Sequence, residues 1–205
     1  MNMAQLKRWG GSFGESYTRR NLNINFSSKL QNKRKGFFRQ ALTKTKGVHR
    51  ILEVGCNTGH NLLAFSDIGD FELVGIDPQA LALKIGKEKK VPATLIKGSV
   101  YNMPFFKDYF DLVLTSGVLM HIHRRSLPKA LKEIDRVTNK YFLTIDYFDD
   151  KEISVNYRGY EDMLWRRDMR KACLKILPNM KLIWDKKLNK DSRTGKYTWI
   201  FLYKK

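Results

Sequence analysis

Hydrophobic and polar positions along the chain alternate between two periods. Arg50-Ile51-Leu52-Glu53-Val54 is a short apolar run that enters a turn with glycine at both ends, Gly55 and Gly59. This pattern predicts a buried strand followed by a helix that turns Leu62, Leu63 and Phe65 inward. Residues 71–76 read as a second strand, stopped at Asp77-Pro78 because the proline disfavours helical geometry at Asp77. A helix then opens at Ala80-Leu81-Ala82-Leu83. Residues 93–96, 110–115 and 141–145 read as three more strands, and 197–202 as a final one. Ahead of the fifth strand, Ser126 is the expected N-cap of a helix with Pro128 in its first turn and Leu127, Leu131, Ile134 and Val137 at helical spacing. Strands alternating with helices predict an α/β fold with a doubly wound, mostly parallel sheet. Ligands of such sheets gather at the carboxyl ends of the strands.

Composition narrows the class. A chain of 205 residues with 42% apolar content can bury a real core. No run of 18 apolar residues occurs, so no membrane span is expected, and Met1-Asn2-Met3-Ala4-Gln5 lacks the apolar stretch of a signal peptide. Cys56 and Cys173 are the only cysteines and form no CxxC pair. No metal site is therefore expected, and a reducing compartment, the cytoplasm, is. The net charge of +19 is unevenly placed. Residues 1–50 hold 12 Lys/Arg against Glu15 alone, 51–150 hold 12 against 13 acids, and 151–205 hold 15 against 6. A near-neutral centre with basic flanks suits an anionic small-molecule acceptor, with nucleic acid as the alternative; solvated surface lysines would give the same numbers.

The turn Glu53-Val54-Gly55-Cys56-Asn57-Thr58-Gly59-His60-Asn61 carries the strongest chemistry. Glycine lets a backbone approach a ligand and adopt positive φ. A dinucleotide fingerprint needs Gly-x-Gly-x-x-Gly, whereas this loop is Gly55-x-x-x-Gly59. Glu53 would repel a pyrophosphate but favour a ligand bearing a cation. Asp77 closes the second strand, where an acid can accept hydrogen bonds from ribose hydroxyls or start the next helix.

The turn resembles motif I of class I S-adenosylmethionine methyltransferases, with Asn57 in place of the middle glycine; asparagine tolerates left-handed geometry well. The resemblance covers residues 50–146 and implies a Rossmann-like sheet with S-adenosylmethionine as cofactor. It implies cofactor contacts at Glu53, Gly55, Cys56, Asn57, Gly59, His60, Asn61, Asp77 and Pro78, with adenine held by Gly98-Ser99-Val100 and the fourth-strand station at Thr115-Ser116-Gly117. The loop after that strand faces the methyl group in this family, so His121 is the first candidate base, with His123 and Asp146 behind it.

The flanks add a narrower resemblance. Trp9-x-Gly11-x-Phe13-Gly14-x-x-Tyr17-x-x-Arg20-Asn21, Tyr157-Arg158-Gly159-Tyr160 and Leu164-Trp165-Arg166-Arg167-Asp168 look like the pseudaminic acid biosynthesis-associated methylases, which implies a bacterial surface-glycan setting. Residues 1–49 are then expected as a helical lid over the methyltransferase domain 50–205. Tyr17 and Arg20 would cover the cofactor, with Arg20 pairing its carboxylate. Tyr147, Tyr157, Arg158 and Arg167 would meet the acceptor. Two other readings are an RNA or protein methyltransferase and a non-catalytic cofactor-binding interaction protein.

Overall fold

The computed structural model describes residues 3–190 and 197–205. Met1 and Asn2, within the expected lid segment, and residues 191–196, within the expected domain, lie outside that description. Three helices open the chain: α1 (Met3–Gly10), α2 (Ser12–Asn25) and α3 (Ser28–Leu42). The alternating part follows as β1 (Arg50–Val54), α4 (His60–Ser66), β2 (Glu72–Asp77), α5 (Ala80–Glu88), β3 (Thr94–Lys97), β4 (Phe110–Ser116), α6 (Leu127–Val137) and β5 (Thr138–Tyr147). The chain then adds β6 (Ile153–Tyr157), β7 (Tyr160–Arg166), α7 (Met169–Ile176), β8 (Lys181–Lys190) and β9 (Tyr197–Lys204).

Seven strands form one sheet in the order β3-β2-β1-β4-β5-β9-β8. The first five are parallel, while β9 runs antiparallel to both β5 and β8. The order reverses direction at β1 and β4, the switch point at which an open α/β sheet leaves a crevice. The strands are apolar on both sides because each face is covered. One face packs Leu52, Val54, Val113 and Phe142 against α6 and α7 through Leu131, Ile134 and Cys173. The other packs Ile51, Leu112 and Leu143 against α3 and α4 through Phe38 and Phe65. Among the described residues no helix is long and apolar enough to cross a membrane.

Ser126 stands at the N-cap of α6 with Pro128 in its first turn, yet its side chain makes no cap hydrogen bond. Its hydroxyl bonds Tyr101 instead, because Ser126 already has helical backbone angles (φ −99°, ψ −15°) and cannot point its side chain along the helix axis.

Strands β6 and β7 form a separate hairpin between β5 and α7. Arg158 (φ 58°) and Gly159 (φ 81°) make its two-residue turn, the left-handed pair that matches the twist of the flanking strands.

Candidate active site

The motif-I loop follows from three left-handed residues in five: Gly55 (φ 75°), Asn57 (φ 49°) and Gly59 (φ 75°). At Gly55 a Cβ would lie 2.4 Å from Val118 Cγ2, so the residue is required for space as well as for φ. The loop is pinned to β2 by the Gly55 and Cys56 amides, which donate to Ile76 O at 2.7 and 3.2 Å. The Asn57 amide donates to Asp77 Oδ2 at 2.7 Å and the Gln79 amide to Asp77 Oδ1 at 2.8 Å. Asp77 thus organises both the loop and the start of α5, whose N-cap is Gln79.

A cavity of about 290 Å³ opens at the carboxyl ends of the parallel strands. Its walls come from the ends of β1, β2 and β4, the loop after β3, and the N-terminal helices. Glu53, Gly55, Asn57, His60, Asn61, Asp77, Pro78, Gly98, Ser99, Val100, Ser116, Gly117, Tyr17 and His121 all line it. Cys56 is wholly buried behind the loop against the Gly75 backbone, and Thr115 is bonded across the sheet to Thr144 at 2.9 Å. Gly59 caps α4, where a Cβ would touch Val91. These three shape the site from outside its wall.

Two buried carboxylates face one another across the loop. Glu53 Oε1 accepts from Asn61 Nδ2 at 2.6 Å, and Oε2 is buried with no hydrogen-bond partner among the described residues. Burial pushes Glu53 up to about 8, against the opposing effects of Asn61 and Arg34. Burial also lifts Asp77 to about 6, with the two backbone amides holding it lower than burial alone would.

The helices close the cavity from above. Gln79 Nε2 donates to Trp9 O and Gly11 O at 3.2 and 2.9 Å. Gly14 lets α2 meet α1, since a Cβ there would sit 1.9 Å from Trp9 O. Trp9 packs edge-on against Phe13 and Tyr17 and tilts onto His121 with ring centroids 4.7 Å apart. Gln31 Nε2 bonds His60 O at 3.0 Å, fixing α3 to the start of α4.

The cation over the site is Arg34, not Arg20. Arg20 is exposed on α2 and outside the cavity wall. Arg34 lines the cavity from α3, donates to Asn25 O and Oδ1 at 2.5 and 3.0 Å, and acts electrostatically on Glu53 and Tyr17. The helical segment 28–42 carries no motif, so only the helix packing could reveal Arg34. Trp9 was noticeable as an aromatic in a basic stretch; Gln5, whose amide donates to His121 O, was not.

His121 ends a single 3₁₀ turn, Leu119–His121. Its Nδ1 meets Met163 O on β7 at 2.6 Å. A carbonyl only accepts, so Nδ1 carries the proton and Nε2 is left with its lone pair. Burial holds the ring down to about 4, so it is neutral at pH 7. His123 faces elsewhere: it accepts from the Arg125 amide at 3.2 Å and packs on Trp165. Asp146 is buried outside the wall, where its oxygens accept from the Met120 amide at 3.1 Å and Thr144 Oγ1 at 2.6 Å. It therefore braces the turn that carries His121. Burial raises it to about 7.

The expected acceptor contacts separate. Tyr157 packs against His121 and Phe13 at 5.2 and 6.1 Å between centroids. Arg158 is exposed at the hairpin turn over the Tyr157 ring. Arg167 is buried, donates to Ile122 O at 2.9 Å and pairs with Glu152 at 3.1 Å. Tyr147 ends β5 half-buried, outside the cavity wall.

Residues 51–140 match the methyltransferase domain family. Over these residues the chain is similar to methyltransferase domains. A methyltransferase of Schizosaccharomyces pombe is 34% identical over 109 residues, covering 47% of this chain and 38% of its own length. A tRNA U34 carboxymethyltransferase of Campylobacter hominis is 31% identical over 117 residues, 52% of this chain and 39% of the relative. The chain thus spans about two fifths of the length of these relatives. The fold agrees with the Burkholderia thailandensis 1,6-didemethyltoxoflavin-N1-methyltransferase, whose structure holds S-adenosylhomocysteine. The TM-score is 0.75 at 12% identity, over 99% of this chain and 88% of that one. The matched stretch holds most of β1, all of β2, β3 and β4, and the motif-I loop, while most of β5 and all of β8 and β9 lie beyond it. The three helices before it and the hairpin after β5 lie outside the matched residues.

Proposed function

We propose that the chain transfers the methyl group of S-adenosylmethionine to a small acceptor bound beside His121 beneath the N-terminal helices. The observation that carries this reading is the convergence of Glu53, Asp77 and His121 on one cavity at the strand ends. When bound, the cofactor supplies an electrophilic methyl carbon on a positively charged sulfur and departs as a neutral thioether. The residues present suit it. Glu53 Oε2, buried and without a hydrogen-bond partner among the described residues, is placed to take an ammonium group, and Arg34 to take a carboxylate. Asp77 keeps lone pairs for ribose hydroxyls beyond the two amides it accepts from.

In this reading Glu53 must ionise to meet a cation. Its ligand-free value of about 8 means that binding at neutral pH releases a proton. Affinity therefore climbs as pH rises toward 8, and declines at higher pH as the ligand's own ammonium loses its proton.

His121 is the base for a hydroxyl acceptor. An acceptor hydroxyl, made strongly acidic as it is methylated, would pass its proton to Nε2. A weakly basic imidazole suffices for so acidic a proton, and Met163 O fixes the ring for it. Trp9 and Tyr17 line the cavity beside it.

An anionic or sugar-type acceptor, in a bacterial surface-glycan pathway, is the finer reading. It draws support from the +19 charge, from the flank resemblance and from exposed Arg158; Arg167 is already committed to Ile122 and Glu152. A cytoplasmic setting belongs to it, with Cys56 and Cys173 as buried free thiols. RNA methylation is the second reading. Helix α3 exposes Lys29, Lys33 and Arg39 and contains no acid, and the Campylobacter hominis relative is a tRNA enzyme.

Labelled methyl from S-adenosylmethionine, incubated with the protein and an extract of cells expressing it, separates the readings. Label is expected in small acidic molecules. Label in RNA would favour the second reading, and label nowhere would leave a cofactor-binding protein without transfer.

A further inference from the structure

We propose that Asn57 is a positioning residue that ties the cofactor loop to helix α2, so that cofactor binding and docking of the lid become one coupled event. The proposal rests on the S-adenosylmethionine reading of the cavity.

Three observations meet at this side chain. Asn57 stands where motif I ordinarily has a glycine with no side chain. Its Nδ2 donates to Thr18 Oγ1 at 2.8 Å. Thr18 is buried on α2 next to Tyr17, which lines the cavity. Its Oδ1 is buried without a hydrogen-bond partner among the described residues, an arrangement that costs free energy until a donor arrives. The same residue's backbone amide is held by Asp77 Oδ2. One residue therefore joins the strand β2 acid through its backbone amide and the lid through its side-chain carboxamide, and keeps one acceptor for a ligand donor.

The physical consequence is directional. A ligand that donates to Oδ1 orients the carboxamide with Nδ2 toward Thr18. The rotamer that serves the ligand is thus the one that holds α2. Neither the loop nor the lid achieves this alone, and the residues of the lid lie outside the matched domain, 51–140.

Asn57→Gly removes the side chain at a φ of 49° that glycine adopts freely, so the loop keeps its shape. Thr18→Val removes the lid partner at nearly constant volume. Without cofactor, both variants should be cut by trypsin faster than wild type after Arg19 and Arg20, which are exposed on α2. This arm is independent of any ligand. With S-adenosylmethionine, Asn57→Gly should bind about 3- to 10-fold more weakly and lose cofactor protection of α2. Thr18→Val should add nothing further in the Asn57→Gly background. The pH profile of cofactor affinity, set by Glu53, should stay in place, whereas a merely distorted loop would shift it. Equal tryptic rates in the unliganded variants and wild type would overturn the tether. Wild-type-like affinity and protection in Asn57→Gly would overturn the coupling. Absence of any cofactor binding by wild type would sink the cofactor reading and the coupling with it, while leaving the ligand-free tether to stand or fall on its own rates.

Discussion

Replacing His121 by Ala lowers methyl transfer by roughly 10²–10⁴-fold, with cofactor affinity nearly unchanged, because the proposed ribose and ammonium contacts come from Asp77 and Glu53. His121→Gln is the sharper variant. Its amide can still donate to Met163 O and fill space against Trp9, but it takes no proton, so a structural role would be rescued and a proton-accepting role would not. The pH dependence follows from the ring's position. His121 sits at about 4 and must be neutral to act. Its contribution is therefore full above about pH 5 and falls as pH drops through 4. Turnover measured on both variants over that range checks the assignment. Full activity in His121→Ala would remove it from the chemistry.

Gly55→Ala is expected to destabilise the protein through both its backbone angle and the space beside it. The left-handed backbone costs a non-glycine residue about 1–2 kcal/mol, and the new Cβ falls 2.4 Å from Val118 Cγ2, overpacking worth about 1–3 kcal/mol more. For a domain of this size, about 2–5 kcal/mol corresponds to a fall in melting temperature of roughly 4–20 °C. The loop that feeds Glu53 and Asn57 into the cavity moves with it, so cofactor affinity should fall as well. Thermal melts with and without cofactor measure both. A melting temperature within 2 °C of wild type would mean that the loop has room the structure does not show.

The contrast between these two residues explains which parts of the molecule could be read from the sequence. Gly55, Asp77 and the five parallel strands announce themselves locally, through apolar runs that end in a glycine or an acid. Ser126 shows the limit of local rules: the right residue at the right place bonds a neighbouring tyrosine rather than the helix. Arg34 and Gln5 reach the site only because three helices fold back across the sheet, which no spacing in residues 1–50 encodes. The hairpin β6–β7 was missed because its turn is Arg158-Gly159 rather than the Asn-Gly or Asp-Gly that advertises a left-handed pair. Strand β8 was hidden by lysines at 181, 186 and 187; Lys181 and Lys187 lie on the exposed face that an edge strand charges. Arg167 reads as a binding residue in sequence; the fold buries it outside the cavity wall, where it donates to Ile122 O and pairs with Glu152.

The central claim is that this cavity holds S-adenosylmethionine with Glu53 facing its cation. Titration calorimetry of S-adenosylmethionine into the protein from pH 6 to 9, in buffers of different ionisation heat, tests it most directly. The account predicts equimolar binding, proton release at pH 7, affinity that strengthens as pH rises from 6 toward 8, and loss of that rise in Glu53→Gln. No binding at any pH, or binding whose pH dependence is the same in Glu53→Gln as in wild type, would contradict it.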